Sequence, residues 1–150
     1  MINGTPDNIE ELKRMANNQK SWRERLKAVN ILKNYDCQQS RDILVRLAIH
    51  DIVFQVKEAA FRACQALGVT KNGQPIRLQK KKKGNLIPEI NKKLTVVRNA
   101  LPEEFTLEEF KEEFQKRYPE VYDAYEGDKG KQFEKWLSNV VPSLPKRKDS

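Results

Sequence analysis

Along the first part of the chain, apolar residues recur every three or four positions, the period of a helix with one face turned inward. Ile9, Leu12, Met15 and Ala16 open the series, with Pro6 and Asp7 ahead of them as helix-start residues. Trp22, Leu26, Val29 and Leu32 follow, and Ser21 with Glu24 three residues later has the pattern of a capping box. Ile43, Leu44, Leu47 and Ala48 form a third stripe that Ser40 can cap; Phe54, Val56, Ala60, Phe61, Cys64 and Leu67 form a fourth, begun by Asp51 and stopped by Gly68. The pattern predicts helices at 7–17, 21–34, 40–49 and 52–67, and no strand-like alternation interrupts it. Further on, Ile87, Ile90, Leu94, Val97 and Leu101 lead to Pro102, and Leu107, Phe110 and Phe114 follow a Thr106–Glu109 capping pair. Pro119 starts a short turn bearing Val121, Tyr122 and Tyr125, and 126–130 reads as a loop. Phe133, Trp136, Leu137, Val140 and Val141 mark a last helix before Pro142. Helices are predicted at 87–100, 106–117 and 130–141, so the fold class is all-α.

The first four stripes also repeat. A shift of 32 positions brings Trp22 onto Phe54, Arg25 onto Lys57, Ala28 onto Ala60, Val29 onto Phe61, Leu32 onto Cys64 and Tyr35 onto Leu67. Such a period belongs to stacked helix pairs, each covering the apolar face of the next. The run Asp51–Gly68, with its Asp-led turn, Val56-Lys57 pair, spaced alanines and closing Leu67-Gly68, resembles the second helix of a HEAT repeat of the phycobilisome-lyase-like, armadillo type. Trp22–Val29 resembles the same helix one repeat earlier, without the Asp-led turn and the Leu-Gly end. The resemblance covers about residues 5–68. It implies a right-handed helical stack that binds partners, and it does not imply lyase activity, because the repeat serves many functions. The domain reading is HEAT-like repeats at 5–68, a basic linker at 69–85 and a C-terminal three-helix bundle at 86–145.

Charge sharpens this picture. The 150 residues carry 29 Lys and Arg against 21 Asp and Glu, a net charge of +8. Residues 71–100 hold 9 basic side chains and only Glu89 as an acid, an excess equal to that of the whole chain. Its centre is Arg77, Lys80, Lys81, Lys82 and Lys83, where Gly68, Gly73, Pro75 and Gly84 break regular structure. Four adjacent lysines repel one another, and a polyanion relieves that repulsion while releasing counterions. A solvated linker and a nuclear-targeting signal are the other two readings of the run. Arg23 and Lys27, one turn apart on the polar face of a repeat helix, extend the candidate nucleic-acid-binding set. So do Lys131 and Lys135, which with Ser138 and Asn139 face outward if the last three helices form a helix-turn-helix. An ordinary bundle with a solvated face accounts for the same residues, and Glu134 within that face repels phosphate.

No constellation for catalysis emerges. Cys37, His50 and Cys64 are spaced too far apart for the paired ligands of a structural zinc site, and no metal or cofactor is read. The glutamates at 103, 104, 108, 109, 112 and 113 find i,i+4 partners in Lys116 and Arg117 or lie near a helix start. Gly127-Asp128-Lys129-Gly130 has neither the spacing nor the preceding strand of a phosphate loop. Trp22 and Trp136 lie on apolar stripes and are read as core. There is no apolar run of the ~18 residues a membrane span needs, and residues 1–6 lack the pattern of a secretory signal, so a cytoplasmic location is expected. The functional expectation is a non-enzymatic helical-repeat module that associates with nucleic acid through the basic linker and repeat face. The alternative is a protein–protein adaptor with an acidic partner; no membrane and no small-molecule substrate is read.

Overall fold

A computed structural model describes residues 2–78 and 86–145. The described chain is all-α apart from four two-residue strands, and it divides into two compact units at residues 81/82.

In the first unit, α1 (Ile9–Ala16) packs on α2 (Trp22–Leu32), α3 (Gln38–His50) packs on α4 (Phe54–Leu67), and α2 packs on α4. Their stripes merge in one core around Leu12, Ala28, Val29, Leu32, Leu44, Val56, Ala60 and Cys64. The caps follow the sequence in part. Ser21 Oγ accepts the Glu24 N–H at 3.2 Å, and Gly68, in the left-handed region at φ 67°, ends α4. There the Gly68 N–H donates to Gln65 O and the Val69 N–H to Cys64 O, the paired bonds of a Schellman motif. Ser40 does not cap α3. That helix starts earlier, Cys37 Sγ accepts the Ser40 N–H, and the buried Ser40 hydroxyl donates to Leu32 O at 2.6 Å. A hydroxyl inside a core needs such a partner, so Ser40 ties α3 to the end of α2.

A second buried polar feature of this unit is an ion pair. Arg25 and Asp51 have side chains only 4% and 3% exposed. Asp51 Oδ2 accepts from Arg25 Nε at 2.8 Å, and Arg25 Nη1 donates to the carbonyl of Asn18 at 2.7 Å. Asp51 Oδ1 also accepts the Val53 N–H at 2.9 Å, holding the turn into α4.

Two strand pairs complete the unit. β1 (Ile2–Asn3) runs parallel to β2 (Tyr35–Asp36), and β3 (Thr70–Lys71) forms an antiparallel hairpin with β4 (Gln74–Pro75). The hairpin turns on Asn72 and Gly73 at φ 53° and 76°, the two positive values that a type I′ turn demands and that Asn-Gly supplies. Val69 and Ile76, on either side of it, pack against the first core. The expected linker at 69–85 is therefore corrected over 69–76, which belong to the first unit. Lys80, Lys81, Lys82 and Lys83 lie outside the described residues.

The second unit corrects the expected three-helix bundle to four helices. α5 (Ile90–Asn99), α6 (Leu107–Arg117), α7 (Pro119–Lys129) and α8 (Phe133–Val140) surround Ile90, Leu94, Val97, Phe110, Phe114, Tyr125 and Leu137. α5 begins three residues later than its stripe suggests because Glu89 just ahead of it sits in the left-handed region at φ 60°, through which a right-handed helix cannot run. The Ile87 N–H donates instead to the Tyr125 hydroxyl at 3.1 Å. α7 runs through Gly127, where a loop was expected; burial of Ala124 and Tyr125 outweighs the ~1 kcal/mol that an internal glycine costs. Thr106 and Glu109 form the expected capping box. Trp136 stacks on Tyr125 at 4.7 Å and 6°, a packing role.

Removing one partner of the Arg25–Asp51 pair strands the other inside the core. Asp51→Ala should cost about 3–5 kcal/mol in urea denaturation, whereas the apolar double replacement Arg25→Met with Asp51→Leu should recover most of that loss. At Ala60, fully buried between helices, Ala60→Leu should cost about 1–3 kcal/mol by overpacking. Ala66→Leu, one and a half turns along on the exposed side of α4, should stay within ~0.5 kcal/mol.

Candidate functional site

A concavity of the first unit lies between α3 and the β3–β4 hairpin. Two hollows of about 550 and 390 Å³ share Ile49, Lys71 and Asn72, so they form one groove. Helical spacing sets one wall: Gln38, Arg41, Asp42, Val45, Arg46 and Ile49 follow at three- and four-residue steps along α3, the neighbours on a helix surface. The Schellman turn and the hairpin supply the other wall, through Val69, Lys71, Asn72, Gln74 and Ile76. Arg77, just past β4, closes the second hollow.

The groove is cationic. Arg41, Arg46, Lys71 and Arg77 line it with His50, against Asp42 as the acid among its lining residues. Two of the cations are held in place. Arg41 Nε donates to Asp36 Oδ1 at 2.8 Å, which anchors the side chain to β2, and Arg46 Nη1 donates to Asn17 Oδ1 at the end of α1. Lys71 and Arg77 are exposed and make no ion pair among the described residues. Asp42 accepts from Gln38 Nε2 at 2.8 Å. Val45, Ile49 and Ile76 give the groove a half-buried apolar floor.

Of the residues singled out by sequence, Arg77 falls in this groove. Arg23 and Lys27 are exposed on α2, which contributes nothing to it; the Arg23 guanidinium lies 4.6 Å from the centre of the Trp22 ring. Lys131 and Lys135 are exposed in the second unit, at the 3-10 turn before α8 and on α8 itself. There Glu134 is drawn into a 2.7 Å pair with Lys111 of α6. Arg41, Arg46, His50 and Lys71 were missed as binding candidates. The signal for Lys71 was Asn72-Gly73, since a hairpin at that point folds Lys71 back toward α3.

Neither cysteine joins a metal cluster; among the described residues no three His, Cys, Asp or Glu side chains gather to hold an ion. Cys64 sits in the core, and burial pushes its thiol up to about 11. Among the described residues no helix is long and apolar enough to cross a membrane.

Comparison with family models, characterised proteins and solved structures gave no match.

The two thiols should behave differently. With its folded value raised above the ordinary 9.0, Cys64 stays protonated in the fold when the unfolded chain has already ionised. Its contribution to stability is complete below pH 9 and is lost between pH 9 and 11, by at most about 3 kcal/mol. Cys64→Ala should flatten urea midpoints measured across that window. A thiol reagent at pH 8 should label half-buried Cys37 first, and Cys64 only as the protein unfolds.

Proposed function

We propose that this chain is a non-enzymatic nucleic-acid-binding module that uses the basic surface of its first unit together with the lysine run after it. One observation carries the reading. The cation-lined α3–hairpin groove ends at Arg77, and Lys80–Lys83 follow three to six positions later in the sequence. Cations held on α3, a further one on the hairpin and a dense charge run that follows them in the sequence offer a polyanion several phosphate contacts, and counterion release supplies the binding energy.

The helical-repeat reading of 5–68 belongs to the same proposal. It rests on α2 and α4 packing together, each with a buried alanine at the equivalent place, Ala28 and Ala60. A repeat stack presents partners with a surface of fixed side chains, here a basic one.

Binding is read by fluorescence anisotropy with labelled single-stranded and duplex oligonucleotides at several salt concentrations. Replacing Lys80, Lys81, Lys82 and Lys83 by Gln should weaken binding to all sequences by a similar factor, because phosphate contacts do not read bases. The slope of log affinity against log salt should fall by about 3–4 units on duplex and about 3 on single strand. The melting temperature should hardly change. Wild-type protein that binds no nucleic acid at ~50 mM salt, where such contacts are strong, overturns the proposal in favour of a protein–protein adaptor.

A further inference from the structure

We infer that the α3–hairpin groove seats a single strand of nucleic acid and excludes duplex; this deepens the function proposed above and rests on it. Size is the first argument. Hollows of about 550 and 390 Å³ are of the scale that encloses small ligands. A duplex instead takes protein elements into its own grooves, the wider about 12 Å across, and would ride over this one without entering. A single strand bends freely and can lay successive nucleotides along it.

The chemistry of the walls is the second argument. Lys71 and Arg77 reach out as cations for phosphate oxygens. The side-chain amides of Gln38, Asn72 and Gln74 each carry a donor and an acceptor, the pairing that base edges present and phosphates lack. Asp42, an acid set among cations, would oppose any purely anionic ligand, yet it is the acceptor that the amino group of cytosine seeks. With Val45, Ile49 and Ile76 beneath, the groove offers apolar area to sugars and base faces, and the planes of His50 and the arginines offer stacking surfaces. An acidic peptide would satisfy the cations but brings no planar base face to His50 and the arginines.

The test compares Lys71→Gln with Arg77→Gln, as a double variant, against a control double, Lys33→Gln with Arg62→Gln. The control removes the same charge from the α2–α4 face, where Lys33 and Arg62 line a different hollow. Affinity is measured for a 12-nucleotide single strand, as DNA and as RNA, for the corresponding duplex, and in competition with poly-glutamate. Wild type should prefer the single strand. The groove variant should lose roughly tenfold or more of single-strand affinity near 0.1 M salt, with the salt slope reduced by about 1.4 units, at ~0.7 per lost contact. The control should lose much less, and both variants should melt with wild type.

Equal losses in the two variants, duplex binding as tight as single strand, or displacement by poly-glutamate at matched charge would overturn the groove assignment while leaving nucleic-acid binding standing. Wild type that binds neither form of nucleic acid would overturn both.

Discussion

The first unit is organised around a charge that has no access to water. Arg25 enters the core from α2 and meets Asp51 at the α3–α4 turn, and its Nη1 donates to the Asn18 carbonyl at the α1–α2 turn. Two connections and a helix are thereby fixed to one guanidinium. Asp51 in turn orients the first N–H groups before α4 through Val53. Burying the pair is costly in itself, and attraction offsets desolvation only when the geometry is good and the other donors are satisfied. Here it sets the angle at which α4 leaves α3, and so where the Schellman turn and the hairpin emerge. The wall of the groove that carries Lys71 is placed by that sequence of constraints.

Helices were the readable part of the chain because their burial depends on local period. The stripes from Ile9 to Leu67 and from Ile90 to Phe114 needed only their own spacing. Departures arose where a single residue or a distant contact decided the outcome. The left-handed Glu89 cut the first turn from α5, and burial of Tyr125 and Ala124 carried α7 across Gly127. In a window of residues Gly127 and Gly130 read as breakers, and nothing local says that one will be packed and the other will turn the chain at φ 55°. The Arg25–Asp51 pair was hidden for the same reason. Arg25 sat in the repeat pattern as a basic residue matching Lys57, yet one is buried and the other half-exposed. Charge class alone does not separate an ion paired across 26 positions from one in solvent.

The candidate site was legible only at its edge. Arg77 and the lysines beyond it stand out by charge density, whereas Arg41, Arg46 and Lys71 are dispersed among acids and amides in the sequence. They become neighbours because α3 presents every third or fourth residue to one side and because Asn72-Gly73 reverses the chain toward it. The Asn-Gly pair was available to a reader of the sequence, flanked by Thr70-Lys71 and Gln74-Pro75. It escaped notice since three of those four flanking residues are polar and the stretch lacks the alternating apolar pattern that normally announces strands. This hairpin is held by Val69 and Ile76 at its base, outside its own ladder.

The second unit shows how differently the same charged residues can be used. Some of its cations meet its own acids: Lys111 pairs with Glu108 and Glu134, Arg117 with Glu113, Lys92 with Glu89. Residues 86–145 carry 9 basic and 12 acidic side chains, a net negative charge. In the first unit Arg25 pairs with Asp51 and Arg41 with Asp36 at helix and strand junctions, and Lys13 with Glu10 and Arg62 with Glu58 along single helices. Lys71 and Arg77 are left to solvent. Residues 2–78 carry 13 basic and 8 acidic side chains. The polyanion partner proposed above would be steered by the sum of these fields toward the first unit, where the shortage of acids counts as much as the number of lysines.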